Sequence, residues 1–114
     1  MDNCLFCRIV NREIPSRIVY EDDLVLGFYD IQPKSPVHVL LIPKEHIGSF
    51  NELTRDHDRL MAHLTAHIPI VAEKLGIKNS GYRVVVNCGR DSGQEVAHLH
   101  YHILGGRPME NNFG

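Results

Sequence analysis

The 114-residue sequence lacks the charge pattern of a protein that binds long nucleic acids. Its 12 basic and 14 acidic side chains give a formal net charge of -2. No run of Lys or Arg forms a stripe that could follow a phosphate backbone. We therefore expect no long nucleic acid among its partners.

Long apolar runs and an even set of cysteines are also missing. No stretch approaches the roughly 20 apolar residues of a membrane span, and the first residues do not follow the basic, apolar, small-residue order of a signal peptide. Three cysteines argue against a disulfide framework and leave Cys4 and Cys7 available for a metal. We therefore expect no membrane partner and a cytoplasmic location.

Low-complexity tracts and breaks in composition are absent as well. The hydrophobic fraction of 43% and the charged fraction of 23% are ordinary for globular proteins. A chain of this length buries roughly two thirds of its unfolded surface. These features predict a single domain over residues 1–114, in which the eight histidines are the unusual component.

The pattern of apolar and turn-forming residues predicts an α+β fold. Apolar residues recur at helical spacing over 54–75, which indicates one long helix with a kink at Pro69 and an end at Gly76. A short N-terminal helix is predicted over 4–10. Five strands are predicted over 17–21, 24–30, 37–42, 82–87 and 97–104. Strands grouped around one long helix favour a largely antiparallel, meander-like, five-stranded sheet.

Three histidines alternate in the last predicted strand. Because side chains in a strand point to alternate faces, His98, His100 and His102 should share one face, with apolar residues on the other. Three neighbouring imidazoles indicate chemistry rather than a plain solvent face. They could hold zinc with an open position for water, or one ring could act as a nucleophile while the others orient it and carry protons.

The segment before this strand helps to choose between the two chemistries. Residues 87–95 bring backbone N–H groups and amide side chains next to the histidines. Such groups make a suitable lining for an anion. The segment therefore favours phosphoryl chemistry over a simple zinc-bound water.

The stretch His98-Leu99-His100-Tyr101-His102-Ile103-Leu104 resembles the signature of the histidine triad (HIT) family. The flanking stretches 30–33, 93–96 and 105–109 are similar to the short Hint-type branch, and the similarity runs nearly end to end. The resemblance implies a homodimer and a purine nucleotide substrate. It also implies hydrolysis of purine nucleoside 5'-phosphoramidates or aminoacyl adenylates to the nucleoside monophosphate.

The resemblance implies a covalent mechanism. His100 would attack the α-phosphorus and form a nucleotidyl-histidine that water then hydrolyses. His102 would contact the phosphate oxygens or the leaving group, and His38 would support the nucleophile by hydrogen bonding unless it is simply a buried core histidine. Because free imidazole has a pKa of about 6.5, the nucleophile is largely unprotonated at neutral pH, and no cofactor is expected for catalysis.

The resemblance also implies a nucleotide-binding site. Asp30 would accept hydrogen bonds from both ribose hydroxyls, with a role as a turn cap as the alternative. Glu95 stands where some relatives have Ser, so only its backbone is expected to contact phosphate. The apolar walls of the purine pocket would be Phe6, Ile9, Phe28 and Ile31. The groups around the phosphate would be Asn87, Gln94, Glu95, Val96, His100 and His102.

Cys4 and Cys7 resemble half of a zinc site, which family members complete with the residues equivalent to His46 and His98. Two Cys and two His suit tetrahedral Zn²⁺ in a closed, structural site. The alternative is a pair of free buried thiols. A structural zinc here would take His98 out of the chemistry.

His63 and His67 lie four residues apart on the predicted long helix. Leu64 stands where a zinc-protease motif requires glutamate. We therefore expect these two histidines to be surface or interface residues.

Three other functions remain open, the first of them through the same family resemblance. The first is dinucleoside polyphosphate hydrolysis of the Fhit type, which uses the same triad. The second is a nucleotide-binding regulatory module whose slow turnover is incidental. The third is a zinc enzyme with the metal on all three triad histidines.

Overall fold

A five-stranded antiparallel sheet forms the centre of the computed structural model, which describes residues 3–113. Its strands are β1 (Ile18–Glu21), β2 (Val25–Tyr29), β3 (Val37–Pro43), β4 (Tyr82–Val86) and β5 (Tyr101–Gly105). Their spatial order is β1-β2-β3-β5-β4, and every neighbouring pair is antiparallel. The predicted α+β fold is confirmed. The first three strands form a meander, whereas β5 inserts between β3 and β4.

Two α-helices accompany the sheet, α1 (Leu5–Val10) and α2 (Asp58–Lys74). The long helix begins later than predicted because Thr54 caps a separate 3-10 turn, Arg55–His57, that leads into it. The helix continues through Pro69. Among the described residues, no helix is long and apolar enough to cross a lipid bilayer.

The end of α2 lies where the sequence predicts it. Gly76 has φ +74°, a left-handed conformation that favours glycine. Its N–H donates to the carbonyl of Glu73, and the N–H of Ile77 donates to the carbonyl of Ala72. These two hydrogen bonds satisfy carbonyl groups that the helix end would otherwise leave unpaired.

The two faces of the sheet pack into different apolar clusters. In β3, Val39 and Leu41 pack into a cluster that includes the buried face of α2, whereas Leu40 and Ile42 pack into a cluster with α1. This division follows from the two-residue period of a strand. Since the 17-residue α2 covers one face and the six-residue α1 only part of the other, the second face has room for a cavity.

The last strand is shorter than predicted. It begins at Tyr101 rather than at residue 97, because the preceding backbone makes its hydrogen bonds elsewhere. The N–H of Leu99 donates to the carbonyl of Ile47 (2.6 Å), and the N–H of His98 donates to the carbonyl of Val96 (2.8 Å). The three triad histidines therefore do not lie on one regular strand.

Candidate active site

A cavity of about 560 Å³ opens on the sheet face that α1 covers only in part. This volume falls in the range of small-molecule sites. All but one of the predicted nucleotide-binding residues line the cavity. These are Phe6, Ile9, Phe28, Asp30, Ile31, Asn87, Glu95, Val96, His100 and His102; Gln94 is the exception.

The protonation of His100 follows from its hydrogen bond. Its Nδ1 lies 2.7 Å from the carbonyl oxygen of His98. A carbonyl oxygen only accepts hydrogen bonds, so Nδ1 carries the proton and, in the neutral ring, Nε2 carries the lone pair. The ring of Phe6 packs edge-on against this imidazole, with the ring centres 5.1 Å apart. The arrangement presents a fixed imidazole with a nucleophilic nitrogen.

His102 and His38 meet across two neighbouring strands. Leu40 pairs with His102 and His38 pairs with Leu104 in the antiparallel register, so the two histidines are diagonal neighbours on one face. His38 Nε2 lies 2.9 Å from His102 Nδ1, and His38 Nδ1 accepts the N–H of Lys34 at 3.0 Å. His38 therefore donates to His102, whose own proton lies on Nε2.

Both of these histidines are neutral near pH 7. Burial lowers the pKa of His38, although the carboxylate of Asp30 acts in the opposite direction. Burial, followed by the nearby rings of His100 and His38, lowers the pKa of His102 to about 4. The hydrogen-bond chain from Lys34 through His38 to His102 is thus maintained across the physiological pH range.

Asp30 combines a structural contact with a position in the cavity. Its Oδ1 accepts the N–H of Gln32 at 2.8 Å, the turn-cap arrangement considered as an alternative above. Its Oδ2 lies 3.4 Å from His38 Nε2, and the residue lines the cavity. Since an ionised carboxylate offers about four acceptor positions, the turn leaves capacity for hydroxyl donors.

Gln94 stabilises the loop beside the cavity through its side chain. Its Nε2 donates to the carbonyls of Gly48 (2.8 Å) and Val96 (3.0 Å), and its Oε1 accepts the N–H of Gly89 (2.9 Å). Backbone groups occupy both ends of this amide, so Gln94 fixes the position of the backbone at Val96. The role of Gln94 at the phosphate stays a prediction.

Cys4, Cys7, His46 and His98 converge as predicted for a metal centre. Their ligand atoms lie within 4.8 Å of one another. Cys4 Sγ is 3.3 Å from His98 Nδ1, and Cys7 Sγ is 3.3 Å from His46 Nδ1 and 3.5 Å from His98 Nδ1. Sulfur and nitrogen atoms bound to the same tetrahedral Zn²⁺ are about 3.5 Å apart. The residues present fit this ion.

The surroundings of this cluster also suit a cation. His98 Nε2 donates to the carbonyl of Pro43 at 2.8 Å, which leaves the Nδ1 lone pair facing the sulfurs, and burial lowers the pKa of His98. Burial, and then the hydrogen bond and charge of Cys4, raise the pKa of the Cys7 thiol to about 11. A bound cation would reverse this effect by stabilising the thiolates.

The geometry argues against one metal on all three triad histidines. His98 directs Nδ1 towards the cysteines and Nε2 towards Pro43, while His100 uses Nδ1 for a backbone carbonyl. Among residues 3–113, the groups of side chains that could share an ion do not include the triad as a set. The triad is therefore divided between the metal cluster and the cavity.

Two backbone groups that orient the site were not predicted. The carbonyl of Pro43 orients His98, and the N–H of Lys34 orients His38. Backbone groups are the same in every residue, so no residue type indicates them. The cavity is also lined by apolar and polar side chains that appear ordinary in the sequence, among them Leu5, Ile14, Tyr29, Gln32, Lys34, Leu40, Val85 and Leu104.

Known proteins resemble this chain over nearly its whole length. The purine nucleoside phosphoramidase of Escherichia coli K12 is 44% identical over 108 residues, which cover 95% of this chain and 91% of that protein. A HIT family hydrolase from Legionella pneumophila is 44% identical, with a TM-score of 0.95 and coverage of 98% and 100%. One from Clostridium thermocellum is 47% identical, with a TM-score of 0.96 and coverage of 99% and 98%.

These similarities agree with the site. The family defined by the HIT domain matches residues 11–109, a range that contains the histidine motif, His38 and Asp30. The resemblance seen in the sequence is confirmed, and so is the fold that it implies. This chain belongs to the HIT domain family, as its HIT family hydrolase neighbours do.

Proposed function

We propose that this protein hydrolyses purine nucleoside 5'-phosphoramidates or aminoacyl adenylates to the nucleoside monophosphate. The observation that carries the proposal is the hydrogen bond from His100 Nδ1 to the carbonyl of His98. It keeps the Nε2 lone pair available at the wall of a nucleotide-sized cavity. The name of the 44% identical E. coli relative supports this choice of substrate.

In the proposed reaction, His100 Nε2 attacks the α-phosphorus. A bond forms between phosphorus and His100, and the bond between phosphorus and the leaving group breaks: a P–N bond in a phosphoramidate, and a P–O bond to the carboxylate in an aminoacyl adenylate. Water then attacks the nucleotidyl-histidine and returns the electron pair to Nε2. Over both steps, water supplies the oxygen that the phosphate keeps. It also supplies the proton that a leaving amine takes; a leaving carboxylate takes none, and the proton goes to the solvent.

His102 acts in this scheme as a hydrogen-bond donor. Because its Nδ1 accepts from His38, its Nε2–H is the group available to phosphate oxygens or to the leaving group. A neutral donor that is already held in position does not need to reorient when negative charge develops on the phosphate oxygens. His38 is a positioning residue that acts through His102.

The remaining cavity residues bind the nucleotide in this proposal. Phe6, Ile9, Phe28 and Ile31 contact the purine, with the rings of Phe6 and Phe28 already packed edge-to-face at 5.5 Å. Asp30 accepts hydrogen bonds from the ribose hydroxyls. The phosphate lies near Asn87 and the backbone of Glu95 and Val96, which Gln94 supports from behind.

We also propose a structural Zn²⁺ on Cys4, Cys7, His46 and His98. The four-ligand geometry and the carbonyl of Pro43 behind His98 support it. When bound, the ion would supply charge for the buried thiolates and join α1 to the segment before β5. It takes no part in the proposed reaction, since the cysteine cluster and the carbonyl of Pro43 engage both nitrogens of His98, which does not line the cavity.

The proposal further includes one domain over residues 1–114, a homodimer and a cytoplasmic location. The edge strand β4 supports dimerisation, because it is paired on one side only and exposes Val84. Unpaired strand edges are ready to accept another chain. Gel filtration with light scattering would measure the mass of the particle directly.

His100→Ala tests the proposed reaction. The variant should lose hydrolysis of adenosine and guanosine phosphoramidates but keep nucleotide binding, because the substitution removes the nucleophile and few other contacts. A slowly hydrolysed phosphorothioate analogue should leave a nucleotide adduct on His100 of the unaltered protein, detectable by mass spectrometry after quenching without acid. His57→Gln, at a half-buried residue that caps the 3-10 turn before α2 and does not line the cavity, is the control and should keep wild-type activity.

Two results would contradict the proposal. Full activity in His100→Ala would remove the nucleophile from the mechanism. Turnover that is stopped by a chelator and forms no adduct would indicate a metal-dependent reaction instead. Adding a dinucleoside polyphosphate to the same assay distinguishes Fhit-type hydrolysis, and tight binding without turnover of any substrate would favour a regulatory module.

A further inference from the structure

A second group of metal-ligating side chains lies where the β1–β2 hairpin meets α2. Asp22 occupies the hairpin turn, and His63 and His67 lie on successive turns of the helix. His63 Nε2 is 2.7 Å and His67 Nε2 is 3.7 Å from the same oxygen, Asp22 Oδ2. The three ligand atoms lie within 4.8 Å of one another, and all three residues are half-buried. None of them lines the cavity described above.

Asp22 is held rigidly as an anion. Its Oδ1 accepts the N–H groups of Leu24 (2.8 Å) and Val25 (2.9 Å), and its Oδ2 accepts the hydroxyl of Tyr20 (2.8 Å). Burial alone would raise the pKa of this carboxyl, but the hydrogen bonds from His63, from the turn and from Tyr20 hold it well below its usual range. The turn thus presents a fixed, charged oxygen to the helix.

His67 presents a lone pair to that oxygen. Its Nδ1 lies 2.7 Å from the carbonyl of His63, and because a carbonyl only accepts, Nδ1 carries the proton. In the neutral ring, the Nε2 lone pair therefore faces the carboxylate of Asp22. Two acceptors that face one another repel unless a cation lies between them.

The helix also orients the second imidazole. Residues four apart lie on the same side of a helix, and the rings of His63 and His67 stack with centres 4.1 Å apart and planes 28° apart. Both Nε2 atoms consequently point to the same place, next to Asp22. The helix and the hairpin together place three ligand atoms around one position.

We propose that Asp22, His63 and His67 bind a divalent transition-metal ion of the Zn²⁺ class, at a site separate from the Cys4 cluster. Two imidazoles with one carboxylate suit such an ion, whereas Ca²⁺ and Mg²⁺ prefer oxygen ligands alone. Ligands of one tetrahedral zinc with bonds of about 2.0 Å lie about 3.3 Å apart. The observed 2.7 and 3.7 Å bracket this spacing. Small side-chain movements therefore complete the shell once the Nε2 proton that His63 donates to Asp22 has moved to Nδ1 of the same ring, which frees the Nε2 lone pair.

The bound ion would join the hairpin to α2. Water would occupy the coordination positions of the ion that the three side chains leave open. Its half-exposed ligands make it an exchangeable site, in contrast to the buried cysteine cluster. The proposal does not depend on the hydrolase reaction, because no residue of the cavity takes part.

The test is a zinc titration of the whole protein, read in two ways. Competition with a chromophoric chelator counts the equivalents bound, and ¹⁵N NMR of the imidazole nitrogens shows which rings bind them. We expect one equivalent that shifts the Nε2 resonances of His63 and His67 and leaves His57 unchanged. Zinc in the cysteine cluster is resolved separately, through His46 and His98.

Matched variants complete the test. His67→Gln removes one ligand. Because loss of an outer-shell partner alone costs roughly 10- to 100-fold in metal affinity, it should weaken this equivalent by about 100-fold or more. His57→Gln keeps the affinity of wild type. If His67→Gln fails to fold, His63→Gln and the NMR shifts of the unaltered protein decide the question.

Three outcomes would overturn the proposal. One is that no zinc binds beyond the equivalent at His46 and His98. Another is that the further equivalent binds as tightly in His67→Gln as in wild type. The third is that His67 Nε2 proves to be protonated and unaffected by zinc at neutral pH, in which case an imidazolium paired with Asp22 explains the geometry.

Discussion

Substitutions of His38 can separate the two hydrogen bonds that this residue makes behind the active site. Its Nδ1 accepts from the backbone of Lys34 and its Nε2 donates to His102. In place of His38, asparagine puts a polar atom near the position of the imidazole Nδ1, and glutamine puts one near the position of Nε2. His38→Asn should therefore keep the contact with Lys34 and lose the donor to His102, and His38→Gln should do the reverse.

The expected magnitudes follow from the lost hydrogen bonds. Without a donor at His38, the ring of His102 is no longer held in the form that carries its proton on Nε2. A hydrogen bond of this kind contributes about 1–2 kcal/mol, so kcat of His38→Asn should fall by roughly 5- to 30-fold. His38→Gln should keep most of kcat and lose about 1 kcal/mol of stability, because Lys34 is exposed and water can replace its lost partner.

Phosphoramidate hydrolysis under saturating substrate gives kcat, and urea unfolding of each variant gives its stability. Nucleotide affinity serves as a check that the cavity is intact. The reasoning fails if the two variants lose kcat equally. It also fails if kcat follows the stability of the variants rather than the presence of a donor to His102.

Three further predictions concern the ribose contact, the metal cluster and pH. Asp30→Asn should weaken binding of ribonucleotides more than of 2',3'-dideoxynucleotides, measured by calorimetry; equal losses would make Asp30 only a turn cap. Elemental analysis should find about one zinc on the four-ligand cluster, absent from the Cys4→Ala and Cys7→Ala double variant, and chelation should lower the melting temperature more than it slows turnover. Because the pKa of His102 falls to about 4 in the fold, the unfolded chain binds a proton from about pH 6.5 downwards that the native chain does not. Stability should therefore fall as the pH drops from 6.5 to 4, with a shallower slope in His102→Gln; an unchanged slope would refute this assignment.

Local patterns in the sequence predicted much of the fold. The apolar residues of the long helix repeat with the period of a single helical face, and Gly76 ends it because one residue can adopt the left-handed conformation required there. The triad motif and the pair Cys4 and Cys7 are likewise local. Each of these features depends on residues a few positions apart, which is why they can be predicted from the chain itself.

The contacts that define the chemistry depend on residues far apart in the chain. His38 meets His102 because β5 pairs with β3 rather than following β4 outward, an order that no local pattern specifies. His98 leaves the regular strand because Leu99 bonds to Ile47 instead of continuing the ladder. A prediction from strand alternation alone therefore extended β5 too far.

The sequence by itself determined which chemical groups are available: three triad histidines, two cysteines, and carboxylates beside them. Only the tertiary structure decided what each group does, because an imidazole has two nitrogens and its partner atoms determine which one carries the proton. The carbonyl of His98 leaves Nε2 of His100 as the nucleophilic nitrogen, and the carbonyl of Pro43 leaves Nδ1 of His98 for a metal. Adjacent members of one motif thus receive different functions from backbone groups that their own residue types cannot specify.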